Sequence, residues 1–353
     1  MSDLITRAKE KIQNYDGPPV RIMEVCGTHT HENFRLGVRQ ILPDKVQLIS
    51  GPGCPVCVTP PDYIDEAIWL ALEKGVTIAT FGDLVRVPGS SMSLAGARQQ
   101  GGRIQVVYSP GDACQYAAAH PDEEVVFLSV GFETTVPGSC LSLEEADKAG
   151  LKNYSLLTAN KTMPEAYKAL KGSADLFLYP GHVHAITGTG ICEDLTKEGV
   201  SGVIAGFTAK ELLAAFAVGL GKIQEGEPFF VNAYPRVVKR EGSPRAMEMI
   251  RKWMEACPAE WRGLGVIPGS GLKLKEEASS YDARIRYRVP SMEARVNPAC
   301  RCGQILKGDC LPSECPLFGK GCTPLHPVGA CMVSGEGACS AFYQYGDLRR
   351  NDG

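Results

Sequence analysis

At 353 residues, 44% of them apolar, the chain is long enough for two or three domains and too apolar to be disordered. Its 37 basic residues against 40 acidic ones give a formal charge of −3, which supplies no electrostatic reason for a nucleic-acid or anionic-membrane partner. The segment Met1–Tyr15 is amphipathic and charged, without the apolar core of a secretory signal, and the most apolar stretch, Gly202–Leu220, is broken by Lys210 and Glu211. The expected compartment is therefore the cytoplasm, where structural disulfides are rare and clustered thiols read as metal ligands or redox groups. The chain has 14 cysteines, and seven lie between Cys300 and Cys339.

In chain order, Val20–Val25 reads as a strand and ends on Cys26-Gly27-Thr28-His29-Thr30-His31-Glu32. A thiol between a strand end and a helix N-terminus meets amide donors and the positive end of the helix dipole, which favour thiolate. His29 and His31 could strengthen that tendency or ligate a metal, although their i, i+2 spacing suits a loop. A buried thiol with capping neighbours fits the same residues. Val46–Ser50 is the next strand, followed by Gly51-Pro52-Gly53-Cys54-Pro55-Val56-Cys57. A C-x-x-C after a strand reads as a redox pair or half a metal site, and with no partner pair elsewhere the redox or soft-metal reading is favoured over zinc.

Strands are expected at Val76–Phe81, Ile104–Tyr108 and Val125–Val130, with helices at Asp62–Lys74 and Leu94–Gln100. Gly131-Phe132-Glu133-Thr134-Thr135 follows the last of these strands. Glu133 and Thr134 are suited to orienting a ligand or the Cys26 loop, and equally to capping a helix. A second set of strands, Ser155–Ala159, Asp175–Tyr179, Gly202–Phe207 and Phe229–Ala233, alternates with helical stretches around Pro164–Leu170, Gly190–Glu198 and Ala209–Leu220. This rhythm predicts an α/β protein with two small parallel-sheet domains, at 41–150 and 151–245, joined near Leu141–Lys152. His182 and His184, after the second of these strands, read as structural.

Beyond about Arg284 the pattern changes. Twelve of the 43 residues from Asn297 to Cys339 are Pro or Gly, so regular elements are poorly supported. Metal coordination by the cysteines would supply the cross-links that an apolar core otherwise provides. Seven thiols, Cys300, Cys302, Cys310, Cys315, Cys322, Cys331 and Cys339, are more than an iron–sulfur cluster needs, and their spacing alone does not choose among them. Zinc sites bring ligands in close C-x2-C pairs, which this segment lacks, so a cluster is favoured over zinc.

The Cys26-Gly-Thr-His-Thr-His, Gly51-Pro-Gly-Cys-Pro-Val-Cys57 and Gly131-Phe-Glu-Thr-Thr motifs, with the cysteine-rich end, resemble the HypD family of hydrogenase maturation factors. The resemblance covers essentially the whole chain, to residue 345. The family's C-x14-C-x6-C-x16-C pattern falls on Cys300, Cys315, Cys322 and Cys339, implying that these hold a [4Fe–4S] cluster. It implies that Cys302 and Cys331 are a thiol pair able to form a disulfide beside it, with Cys310 left over. It also implies assembly of the Fe(CN)2CO moiety of [NiFe]-hydrogenases with a HypC-type chaperone, cyanide arriving from HypE. On this resemblance Cys26 is the iron-binding thiolate shared with that chaperone, and Cys54 and Cys57 are the second thiol pair there. The implied fold adds an irregular third domain around the cluster, residues 246–353, with the N-terminal segment 1–40 packed against it. The competing reading is an iron–sulfur dithiol–disulfide oxidoreductase acting on a protein substrate.

Overall fold

In a computed structural model, which describes residues 2–346, nine β-strands form two parallel sheets. One sheet contains β1 (Val20–Glu24), β2 (Val46–Ser50), β8 (Leu176–Pro180), β9 (Gly202–Ala205) and β10 (Phe230–Asn232), in the order β10-β9-β8-β1-β2. The other contains β3 (Thr77–Thr80), β4 (Ile104–Val106), β5 (Val125–Ser129) and β6 (Tyr154–Thr158), in the order β4-β3-β5-β6. Most of these strands are buried along their whole length, as expected of parallel sheets covered on both faces. The α/β class is therefore as expected.

The strands divide between the sheets differently from the expected units. Val46–Ser50 does not open the first unit. It pairs with β1, in register from Val20↔Val46 to Glu24↔Ser50, at the edge of a sheet whose other strands come more than a hundred residues later. Tyr154–Thr158 does not open the second unit, because it completes the other sheet against β5. The expected join near Leu141–Lys152 is mostly helix, Val136–Lys148, covering that sheet. Parallel pairing is non-local, so apolar runs announce strands without announcing neighbours.

The N-terminal segment also splits. Helix α1 (Ser2–Gln13) packs on the helix Ala209–Ile223, where Ile5, Ala8 and Ile12 meet Leu212, Leu213 and Phe216, rather than on the cysteine-rich end. Helix α2 (Gly27–Arg35) does meet that end, with Phe34 edge-on to Phe342 at 5.7 Å.

The domain expected to be irregular, 246–353, opens in the helix Pro244–Trp253 and continues into a long antiparallel hairpin, β11 (Met254–Trp261) and β12 (Gly265–Leu274), and β12 pairs with the short β7 (Asn160–Lys161). Trp261 anchors it, fully buried, with its indole N–H donating to Ser270 Oγ at 2.7 Å. From Asn297 onward the expected poverty holds: two short helices, Cys302–Lys307 and Ala338–Tyr345, and single 3-10 turns. No helix of the described residues is long and apolar enough to cross a membrane.

Candidate metal and thiol site

Parallel strands place their carboxyl ends on one edge, where open α/β sheets gather their chemistry. Cys26 follows β1 and caps α2. Cys54 follows β2 and caps the one-turn helix α3 (Pro55–Val58), which carries Cys57. The β1–β2 pairing sets these two loops side by side. The Gly27 amide donates to Gly53 O at 2.9 Å, and a Cβ on Gly53 would collide with the Cys26 backbone. Glycine at 53 is therefore what lets the two thiol loops touch.

Beneath Cys26 lies a carboxylate that the sequence reading did not single out. Glu24 is fully buried and accepts from Asn33 Nδ2 (2.7 Å), Arg39 Nη2 (2.8 Å), Thr30 Oγ1 (3.1 Å) and Ser50 Oγ (3.1 Å). Four donors offset a desolvation cost of several kcal/mol, and in doing so they tie β1, β2 and α2 into one rigid mount. A second unforeseen residue, Glu336, closes the site from above. Its Oε1 accepts from Thr28 Oγ1 at 2.6 Å, while His31 Nδ1 donates to Gly335 O at 3.1 Å. An open cleft of about 650 Å³ is lined by Thr28, His31, Cys54, Thr135 and Glu336.

Burial pushes the Cys26 thiol up to about 12, with Glu336 adding to the rise and the amides of His29 and Thr28 opposing it. The helix terminus therefore does not by itself make Cys26 a thiolate, because desolvation outweighs it. His29 points elsewhere than into the cleft lining. It is fully buried, donates Nε2–H to Gly206 O at 3.0 Å and stacks on Phe207, and burial holds it down at about 4, so it stays neutral. His182 stacks on the same ring, and His184 is buried against Cys192 and Tyr167, as structural residues would be.

Thr134 is exposed, and Thr135 rather than Thr134 lines the cleft. Glu133 is buried and accepts the Met163 amide at 2.9 Å, capping the helix Met163–Ala169, while its Oε2 has no partner. Burial raises its carboxyl to about 7. Because the folded value lies above the ordinary one, the protein is stabilised by the protonated form, and that contribution is lost as pH climbs from about 4.5 through 7. Glu133→Gln should remove this dependence. Denaturant titrations at pH 5 and pH 8 should show the variant gaining on the parent by on the order of 3 kcal/mol across that interval. Equal differences at the two pH values would refute it.

The tail cysteines meet in a second place. Cys300, Cys302, Cys315, Cys322 and Cys339 line one small apolar cavity with Ile305, Leu317, Phe318 and Met332. Its wall needs glycine at 329, because a Cβ there would stand 2.5 Å from Cys302 Sγ and 2.9 Å from Cys300 Sγ. Burial raises the Cys322 thiol above its ordinary range, opposed by the Val328 amide, which donates to its Sγ at 3.3 Å. Among the described residues no three His, Cys, Asp or Glu side chains converge as they would on one ion. A cluster spreads its thiolates over separate corners, so the donor chemistry of this cavity suits one, while the enclosed space is only about 10 Å³. Cys310 lies outside this cavity, half-buried near Phe342.

Cys331 joins the two sets. It is a fully buried free thiol whose ionisation is linked to Cys57 on one side and to Cys302 and Cys339 on the other, with Cys54 acting on Cys57. Cys300 and Cys302 lie 3.3 Å apart. Thiol donation from Cys302, Cys339 and Cys57 holds Cys331 below the ordinary thiol range, despite burial. Donation to Cys331, the contact with Cys54 and burial hold Cys57 well above it.

Two thiol loops at strand ends and a cysteine-lined tail cavity define a thiol-rich protein of α/β fold. The HypD family model, described as hydrogenase formation hypA family, matches residues 2–346. The hydrogenase maturation factor HypD of Rhodobacter capsulatus is 41% identical, over 98% of this chain and 94% of its own length. Those of Cupriavidus necator (40%, over 94% and 91%) and Escherichia coli K12 (39%, over 93% and 89%) are similar to it to the same degree. The chain belongs to the HypD family.

Proposed function

We propose that this chain serves hydrogenase maturation as an iron-binding scaffold on which an Fe(CN)2CO moiety is built. Family membership and relatives named as hydrogenase maturation factors support the general role. In this reading Cys26, with Cys54 and Cys57, receives the iron as cargo, and a HypC-type chaperone completes the ligand set. Low-spin iron bearing cyanide and carbonyl is a soft centre, for which thiolates are suitable ligands. Cyanide comes from HypE. The cleft between the two sheets leaves room for such partners at Cys54.

The tail cavity is the proposed seat of a [4Fe–4S] group, held by Cys300, Cys315, Cys322 and Cys339. When bound, such a group supplies or takes up single electrons. The observation that carries the proposal is the burial of Cys331 beside the Cys57 loop, where Cys57 Sγ meets Ala330 O, next to the cysteine-lined tail cavity. There a thiolate can attack one sulfur of a disulfide and release the other as thiolate, so that the S–S bond shifts and two electrons move the opposite way. Cys302 and Cys331 are the intermediate pair.

Infrared spectroscopy of the anaerobically purified chain with its HypC-type partner tests the scaffold. Cyanide and carbonyl stretches are expected. Their absence, with iron bound and Cys26 intact, would count decisively against it and favour a dithiol oxidoreductase. The relay fails if Cys302→Ala and Cys331→Ala variants assemble the moiety as well as the parent.

A further inference from the structure

The cysteine cavity has an outward face. Cys300 and Cys302 line it on one side and, on the other, line an open groove of about 1160 Å³ between the tail and the sheet of β3–β6. Arg86, Arg262, Arg295, Arg301 and Lys307 project into that groove, and Asp309 is its single acidic residue. Among the described residues none of the five cations is ion-paired to a carboxylate. In a chain of net charge −3, this is a concentrated field of the opposite sign.

The cations sit on separate elements. Arg86 and Arg262 are braced by the carbonyls of Pro324 and Thr59, while Arg295, Arg301 and Lys307 are exposed. Charges spread over a rim match a broad acidic surface better than a single small anion, which needs donors converging on one point. Leu325, 83% exposed on a tight turn of the same rim, adds the apolar contact that small protein interfaces use. The rim carries no Trp, Tyr or Phe on which nucleic-acid bases could stack.

We propose that this groove docks an acidic one-electron carrier protein, which exchanges electrons with the group seated at the tail cysteines. The proposal rests on the cluster reading above. One electron passes from the reduced carrier to that group through the Cys300–Cys302 wall; no covalent bond forms or breaks and no proton is required. Encounters of this kind bury little area and draw their speed from charge.

The test uses the full chain and an acidic plant-type [2Fe–2S] ferredoxin as probe. Binding of the oxidised probe and stopped-flow bleaching by the reduced probe are measured for the parent and for Arg295→Glu/Arg301→Glu/Lys307→Glu. The parent should bind and be reduced at rates that fall steeply with added salt. The variant should be slower by about tenfold or more at low salt, the gap closing as salt rises, while dithionite bleaches both equally. Binding and reduction unaffected by charge reversal would overturn the proposal. So would an RNA oligomer bound at the groove in preference to the probe. A parent with neither labile sulfide nor a chromophore that dithionite bleaches would instead overturn the cluster reading, a failure that the binding measurement distinguishes from loss of the docking surface.

Discussion

Cys26→Ala is expected to abolish iron loading at the cleft and to lower hydrogenase maturation by at least about a hundredfold, since loss of a mere outer-shell partner already costs about 10- to 100-fold at metal sites. The fold should survive. Cys26 is held by backbone geometry, the Gly27–Gly53 bond and the Glu24 mount, none of which uses its sulfur. The thermal midpoint should therefore move little, which separates loss of a ligand from loss of structure. Cys26→Ser, which keeps the size but cannot readily ionise, should fail in the same way. The free thiol lies at about 12 because burial disfavours its charged form. Iron must therefore displace a proton, and loading should strengthen as pH rises. Iron content, cyanide and carbonyl stretches and the thermal midpoint together check this. Parental stretches in Cys26→Ala would sink the assignment.

Cys322→Ala should remove labile sulfide from the protein and loosen residues 297–346. That stretch has short helices and turns in place of a sheet, and Ile305, Leu317, Phe318 and Met332 line the cysteine cavity. Metal coordination contributes about 10 kcal/mol or more to comparable small domains, so a lost corner ligand is felt as local unfolding. Limited proteolysis should show cleavage within 297–346 accelerating by about tenfold for each 1.4 kcal/mol of local stability lost, while both parallel sheets stay protected. Unchanged sulfide content in Cys322→Ala would remove this residue from the ligand set. Acceleration spread over the whole chain would show instead that the tail stabilises the sheets.

The buried apolar runs, the thiol loops at their ends and the crowding of cysteine, proline and glycine near the C-terminus were legible in the amino-acid order. Each is a local signal. A strand announces itself by four to six β-branched and apolar residues, and a cysteine's neighbours in sequence are also its neighbours in the loop. The spacing of Cys300, Cys315, Cys322 and Cys339 reached the structure as one cavity wall, together with Cys302.

What required the tertiary structure was every relation between distant segments. Val46–Ser50 joins β1 and not β3, because parallel register depends on crossovers tens to hundreds of residues long. Glu24 looked like an ordinary strand residue until Arg39, Asn33, Thr30 and Ser50 closed around it. Glu336 became part of the Cys26 loop only when the tail folded over α2. Local sequence placed Cys26 where amides favour thiolate, and three-dimensional burial reversed the balance. Composition and spacing named the sulfurs. Only long-range packing, which the hydrophobic effect drives without regard to sequence separation, decided that Cys331 would be buried next to the Cys57 loop.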